Sequence, residues 1–197
     1  VDIGNATGEL SYLYLAGHFN FKSVDEDHFT TRGLLTSIHA KVSDNLQNIT
    51  TVWSFDPKLV IWNALDYHRK LVLKNSIGGQ FRFGENIPFY QSASLGGDSG
   101  LRGYRENRFI GDKSFVTSAD VLYEFDPLKT PLFPLRISSF VGYDLGKVWY
   151  DGDSLGKWKN SYGGGIKMEM AGMANFGLNY FLGSESGRLS FSLSIGL

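Results

Sequence analysis

Apolar and polar positions alternate along most of this chain, and the alternation is clearest near its C-terminal end. From position 188 to 197, every odd position is apolar and every even position is polar or glycine. The apolar positions are Leu189, Phe191, Leu193, Ile195 and Leu197. A period of two is typical of a β-strand with one apolar face. Residues 175–182 repeat the pattern, and Ser184-Glu185-Ser186-Gly187 between them predicts a hairpin turn.

The same alternation predicts seven more strands upstream. They lie near Leu10–Lys22, Gly33–Val42, Asn48–Trp62, Arg69–Phe83, Phe115–Phe125, Leu135–Trp149 and Tyr162–Met170, and Asp56-Pro57 predicts a break in the third. With the two C-terminal strands, this gives about nine strands of roughly ten residues each, the length at which a tilted strand crosses a membrane. The pattern therefore predicts an all-β fold, an antiparallel transmembrane β-barrel.

The polar faces of several predicted strands carry charged residues. Asp120 and Glu124 share one such face, and Lys167 and Glu169 share another. Burying these charged side chains inside a soluble sandwich would cost free energy, whereas a water-filled lumen solvates them. Aromatic residues cluster near strand ends, as in interfacial girdles, and we expect connections that alternate between short and long. A soluble β-sandwich or lipocalin-like barrel has a similar alternation and stays an alternative.

The number of predicted strands constrains the topology. If the last strand ends in the periplasm, the loop between the fourth and fifth strands lies on the outer side, and the first predicted strand begins outside. A barrel chain normally enters from the periplasm. The odd number therefore implies an upstream strand that is missing here or one mistaken segment.

Composition narrows the class of protein further. Aromatic residues make up 15% of the chain, and 24 glycines stand beside 5 prolines, which favours strands joined by tight turns. No segment approaches the roughly 20 consecutive apolar residues of a membrane-spanning helix. The absence of cysteine excludes disulfides and thiolate metal sites. A net charge of −1 gives no basic surface for nucleic acid.

A glycine-rich loop carries the most distinctive candidate site. It runs from Ile87-Pro88-Phe89-Tyr90 through Leu95-Gly96-Gly97 to Leu101-Arg102-Gly103-Tyr104. Its glycines allow tight turns with positive φ. The guanidinium of Arg102 stays charged, so it needs a carboxylate partner once it leaves water. Asp144, which lies on a predicted polar face, is a good candidate.

These motifs resemble a known family. Arg32-Gly33 at the start of a strand, the three loop motifs, and Gly142-Tyr143-Asp144-Leu145-Gly146-Lys147-Val148-Trp149 occur in the order found in the C-terminal barrel half of the BamA/TamA-like superfamily, the bacterial surface antigen family. The resemblance covers roughly Gly33 to Leu197. Members insert or export proteins at bacterial outer membranes.

The resemblance implies roles for particular residues. The loop, with Gly96 and Gly97, would fold back into the lumen, where Arg102 of the Leu101–Tyr104 motif would contact Asp144 and Gly146. The apolar positions of the last strand, from Leu189 to Leu197, would form an assembly signal and one side of a seam that opens laterally. Residues 1–197 would be one barrel domain without a periplasmic domain, the C-terminal half of a barrel of about 16 strands.

Barrel size sets a condition on this arrangement. A closed barrel of about eight strands has room only for its own side chains. Either the barrel is completed by residues missing here or by a second copy, or the loop stays outside.

No pattern of catalytic or metal-binding residues is evident, so we expect no enzyme, no metal and no cofactor. Four scattered histidines lack the spacing of metal ligands, and 97–100 and 183–187 lack the pattern of a nucleophile elbow. The predicted function is insertion of outer-membrane proteins or polypeptide translocation in the bacterial outer membrane. The expected partners are outer-membrane lipid, client outer-membrane or secreted polypeptides and accessory lipoproteins. A membrane anchor or export barrel for an upstream enzyme and a soluble ligand-binding barrel are the alternatives.

Overall fold

The computed structural model describes residues 12–25, 29–45, 50–130, 134–150, 157–170 and 173–195. Nine long strands and three short ones make up the fold. The long strands are β1 (Tyr12–Val24), β2 (Gly33–Asn45), β3 (Thr50–Ala64), β4 (Leu71–Phe83), β7 (Lys113–Glu124), β9 (Pro134–Trp149), β10 (Lys159–Met170), β11 (Ala174–Gly183) and β12 (Gly187–Ile195). The short strands are β5 (Ala93–Leu95), β6 (Phe109–Gly111) and β8 (Leu128–Lys129). Every predicted strand is present, so the all-β prediction is confirmed.

The long strands form one antiparallel sheet in the order β1-β2-β3-β4-β7-β9-β10-β11-β12, and β8 pairs with β9 as the tenth strand. β5 and β6 pair with each other in a separate ribbon. Neither β1 nor β12 pairs with a further strand among the described residues, so the sheet is not closed. No helix in the described ranges is long and apolar enough to cross a membrane.

Two expectations about local structure need correction. β3 runs unbroken through Asp56-Pro57 and stays paired with β2, whereas its pairing with β4 lapses between Phe55 and Lys58. Proline has no N–H to donate to a ladder, so only one side of the strand is affected. The connections also do not alternate between short and long. Residues 84–112 form the one long connection in the sheet, and the connections at 46–49 and 184–186, at the same end of the sheet, are short.

The strand register gives the sheet one apolar and one polar face. Large apolar side chains are exposed along one face of the sheet, among them Leu15, Val141 and Phe191. On the other face, cross-strand pairing aligns Lys74 with Asp120 and Ser118 with Asp144. A soluble monomer rarely exposes an apolar surface wider than a few hundred Å². The apolar face therefore has the character of a surface that contacts lipid, and the polar face that of a lumen wall.

The long connection, residues 84–112, lies on the polar face; we call it the lumen loop, and the end of the sheet that carries it the loop end. Leu95, Leu101 and Tyr104 are fully buried and form a small apolar core, against which Phe109, Val116 and Val148 pack. Val116 and Val148 belong to β7 and β9, so this core fastens the loop to the sheet. The core sits between the loop and the sheet.

Candidate functional site

Backbone conformation brings Arg102 close to the sheet. Gly96 and Gly97 have φ of 126° and 61°, in the region that favours glycine. A Cβ at Gly96 would collide with the Arg105 carbonyl, and one at Gly97 would collide with the Glu106 carboxylate. Leu101 also has a positive φ, 59°, which is uncommon for a residue with a side chain. The loop therefore turns tightly just before Arg102.

Arg102 binds two carboxylates at once. Its Nε donates to both oxygens of Asp144 at 3.1 Å, and its Nη2 donates to Oδ1 at 2.7 Å. The backbone N–H of Arg102 donates to Asp144 Oδ2 at 2.9 Å. Nη2 also donates to Asp120 Oδ1 at 2.5 Å. The structure therefore brings together the Arg102 and Asp144 side chains that the motifs paired, and it adds Asp120 from the neighbouring strand.

The strands around Asp144 are shaped for this contact. Asp144 has no exposed surface, and Ser161 of β10 donates to its Oδ2 at 2.8 Å. Gly142, two residues before Asp144 on the same face, pairs with Asp120. A Cβ at Gly142 would collide with the Asp120 carboxylate and lie 2.7 Å from Arg102 Nη2. Glycine at this position therefore leaves the space through which the guanidinium reaches both carboxylates. We call Arg102, Asp120, Asp144 and Ser161 the Arg102 cluster.

Aromatic rings cover the guanidinium. Arg102 Cζ lies 4.0 Å from the ring centroid of Phe181 and 5.8 Å from that of Phe140, a cation–π arrangement. Desolvation acts to lower the pKa of the Arg102 guanidinium, but the hydrogen bonds to Asp144 and Asp120 outweigh it. The pKa of Arg102 therefore lies above its ordinary value, and the side chain stays charged. A buried pair of this kind fixes position more than it adds net stability.

The tip of the lumen loop contacts the β11–β12 hairpin. Tyr104 Oη lies 3.0 Å from Ser184 Oγ and accepts from the Ser184 N–H at 3.1 Å. Arg108 forms two hydrogen bonds with the Glu185 carboxylate, at 2.7 and 3.2 Å. Arg188 of β12 donates to Glu106 at 2.6 Å. These contacts join the loop to the last hairpin.

The first part of the loop is attached to the opposite side of the polar face. Arg82 of β4 donates from Nε to the Gln91 carbonyl at 2.9 Å, and its guanidinium also pairs with Asp56 of β3. Ser43 of β2 donates to Gln91 Oε1 at 2.9 Å. The loop therefore spans the polar face from β2–β4 to β11–β12.

Other residues singled out from the sequence lie elsewhere. Gly146 is buried, and a Cβ there would crowd Leu95 and Leu101, so this glycine admits the loop core; a contact with Arg102 stays a prediction. The last-strand residues Leu189, Phe191, Leu193 and Ile195 are exposed on the apolar face, and Leu197 lies outside the described residues. No group of three metal-ligating side chains occurs in the described part of the chain. His39 stacks on His18 and lies 3.5 Å from Asp56 Oδ2.

Sequence reasoning missed three members of the site: Asp120, Ser161 and Phe181. The alternation along the predicted strands places Asp120 on a polar face. Ser161 is at an odd position, like Gly163 and Lys167, and therefore falls on the same face of its strand as they do. That parity was a usable signal. Nothing in the sequence, however, indicates which polar-face residues stand opposite each other, because that depends on the register of β7, β9 and β10.

Comparison with known proteins agrees with the fold and the motifs. The family model described as haemolysin secretion/activation protein ShlB/FhaC/HecB matches residues 31–170, which include the whole lumen loop and Asp144. No curated protein matches the chain. The match confirms the wider superfamily, Omp85, but it is to secretion proteins and does not single out the BamA/TamA branch. The chain belongs to the ShlB/FhaC/HecB haemolysin secretion/activation family, whose members translocate polypeptides across the bacterial outer membrane.

Proposed function

We propose that this protein exports a dedicated secreted polypeptide through the lumen of an outer-membrane barrel, with the lumen loop as the element that shapes the passage. The family match over residues 31–170 carries this proposal, since it encloses both the loop and its principal partner strand. The polar face supplies a wall along which an extended polypeptide can pass without exposing its backbone to lipid.

The proposal includes a barrel larger than this sheet. The lumen loop already occupies the polar face, and a barrel of about eight strands has an interior just wide enough for its own side chains. The sheet has an odd number of long strands, so β1 begins at the loop end and β12 ends at the other end of the sheet. We infer that further strands, from the same protein or a second copy, complete a barrel of about 16 strands.

The Arg102 cluster positions the loop for this task. Arg102 is tied to β7 and β9 through two carboxylates, while Gln91 is tied to β2 and β4 and the Tyr104–Arg108 segment to the β11–β12 hairpin, on opposite sides of the polar face. A loop with three attachment points holds one place in the lumen. Releasing the central attachment, while the others remain, should change the width of the passage.

Export measured with Arg102 variants tests this function. Arg102→Ala should lower secretion of the cognate polypeptide at least about tenfold, because breaking one side of a buried pair leaves charges unpaired. Arg102→Lys retains the charge but loses the two-pronged geometry, so secretion by this variant should fall between that of the wild type and that of Arg102→Ala. Arg105→Ala is the matched control, since Arg105 is exposed on the same loop. Unchanged secretion by a correctly inserted Arg102→Ala variant would contradict the proposal.

Insertion of outer-membrane proteins, as in the BamA/TamA branch, is the second candidate. The observation that favours it is β12, which pairs only with β11 among the described residues and presents Leu189, Phe191, Leu193 and Ile195 to lipid. A free strand can template pairing with an incoming strand. A disulfide that locks β12 to its neighbour on the unpaired side would abolish insertion but leave export through the lumen intact. Loss of export in the locked protein would favour transport through a lateral opening between β12 and that neighbour.

A further inference from the structure

Charged residues are nearly absent from the apolar face, and their positions are not random. In the described long strands that face carries three charges: Lys113, Lys147 and Asp44. All three lie toward the loop end of their strands. An unpaired cation facing lipid is costly at the centre of a bilayer and nearly free at its interface. The loop end of β7 and β9 therefore sits at the level of lipid headgroups.

The two lysines form a pair across neighbouring strands. In the β7–β9 register Lys113 lies opposite Trp149, and Lys147 lies opposite Phe115. The lysines are thus diagonal neighbours on one face, about 7–8 Å apart at the backbone. Lys113 Nζ lies 5.7 Å from the ring centroid of Phe83, and Lys147 Nζ lies 5.2 Å from that of Trp149. Neither ammonium is paired with a carboxylate in the described part of the chain.

An aromatic cavity adjoins this pair. It has a volume of about 810 Å³ and lies between the ends of β4, β7 and β9 and the start of the lumen loop. Phe83, Ile87, Trp149 and Tyr150 give it apolar walls, and Asn86, Asp112 and Lys113 give it polar ones. Asp112 has an interaction of its own, and among the described residues no ion pair joins it to either lysine. The cavity offers space for an acyl chain and ring surfaces for a sugar, beside two cations that lack an anion.

We propose that Lys113 and Lys147 bind the phosphate groups of a phosphorylated glycolipid in the outer leaflet, with an acyl chain in the adjoining cavity. Lysine is an effective point charge for phosphate, and amphipathic rings such as those of Trp149 and Tyr150 favour the headgroup level. The choice of outer leaflet rests on the proposed function together with the topology expected from the sequence, in which the last strand ends in the periplasm and the loop end faces outside. The two lysines lie on the face opposite the Arg102 cluster, so lipid binding there requires no change in that cluster.

Native mass spectrometry of the complete protein in detergent tests the site. The probes are a doubly phosphorylated, acylated disaccharide lipid, the same lipid without phosphates, and phosphatidylethanolamine. The wild type should retain the phosphorylated lipid in preference to both others. Lys113→Gln with Lys147→Gln should weaken its retention at least about tenfold, since both cations near an anionic surface contribute. Lys41→Gln with Lys58→Gln removes the same charge from the polar face and should leave retention unchanged.

Three outcomes would overturn the proposal: equal retention of the lipid without phosphates, unchanged retention by the Lys113 and Lys147 double variant, or a preference for phosphatidylethanolamine. Heat-modifiable migration on gels identifies variants that are folded. The outcome is independent of the export test, because Arg102→Ala should retain the lipid. Labelling of an Asn86→Cys variant in intact cells by a membrane-impermeant maleimide checks the leaflet, and an unlabelled cysteine would contradict the outer assignment.

Discussion

Asp144 is the residue on which the Arg102 cluster depends most. It is fully buried, and it accepts hydrogen bonds from the Arg102 side chain, the Arg102 backbone and Ser161. Asp120 contributes a single bond to the same guanidinium. Replacing Asp144 therefore removes most of what fixes Arg102, and Asp120 alone cannot hold both Nε and the backbone N–H.

We predict that Asp144→Ala and Asp144→Asn loosen the lumen loop. Losing one side of a buried pair costs about 3–5 kcal/mol, and the isosteric Asn separates the loss of charge from the loss of volume. Trypsin digestion of the folded protein, followed by mass measurement, should show faster cleavage after Arg105 and Arg108, which are exposed at the loop tip.

Asp126→Ala is the control for that experiment. Asp126 also pairs with a cation, Lys70, but its side chain is 85% exposed and lies at the end of the sheet away from the loop. The loop of this variant should be cleaved at the wild-type rate. Cleavage of the Asp144 variants at that same rate would argue against the pairing as the anchor of the loop.

The contacts between loop tip and last hairpin allow a test by charge reversal. Arg108→Glu places two like charges together at Glu185, and Glu185→Arg in the same protein restores an attractive pair. Exposed pairs of this kind are worth about 0.2–1 kcal/mol, so the effect is on geometry more than on stability. Spin labels at Asn107 and Ser186 should report a broader distance distribution for the single variant and a narrower one for the double variant.

The control is Arg105→Glu, because Arg105 has no ion pair among the residues that the structure describes. Its distance distribution should match the wild type. High salt should broaden the wild-type distribution, since exposed pairs are screened. A double variant as broad as Arg108→Glu would contradict a specific Arg108–Glu185 contact.

The long strands were predictable from sequence, whereas the elements inside the loop were not. Strands such as β12 have enough alternating positions to define a period, and burial of one face fixes their register within each hairpin. β5, β6 and β8 have too few residues to show a period. The motifs paired Arg102 with Asp144, and the structure places the two side chains in contact; the role of that contact in transport stays a prediction.

Asp120 and the Arg82–Gln91 contact show why the rest of the site could not be predicted from the sequence. Each depends on which strands become neighbours and on how the lumen loop folds across the polar face. The position of Asp120 opposite Gly142 follows from the register of β7 against β9, which the alternation within each strand does not indicate. Parity restricts a residue to one face, but contacts across that face come from tertiary packing.

The sheet combines an apolar surface, a polar face and two outer strands, β1 and β12, each of which is paired on one side only among the described residues. If these nine long strands closed on themselves, the lumen would be too narrow for its loop. Closure by this chain alone would therefore expel the loop, break the Arg102 cluster and expose Arg105 to trypsin. Closure with additional strands would keep the loop inside.

These alternatives give opposite results in one measurement. We expect that the 197-residue chain, refolded by itself in detergent, does not form a heat-modifiable species that has the mass of one copy and a loop protected from trypsin. A closed species with twice the mass and a protected loop would identify a second copy as the source of the missing strands. Protection only in the complete protein would identify strands of the same chain. A closed single copy whose loop resists trypsin would contradict the larger barrel, because its interior would then hold both the loop and the polar side chains of all nine strands.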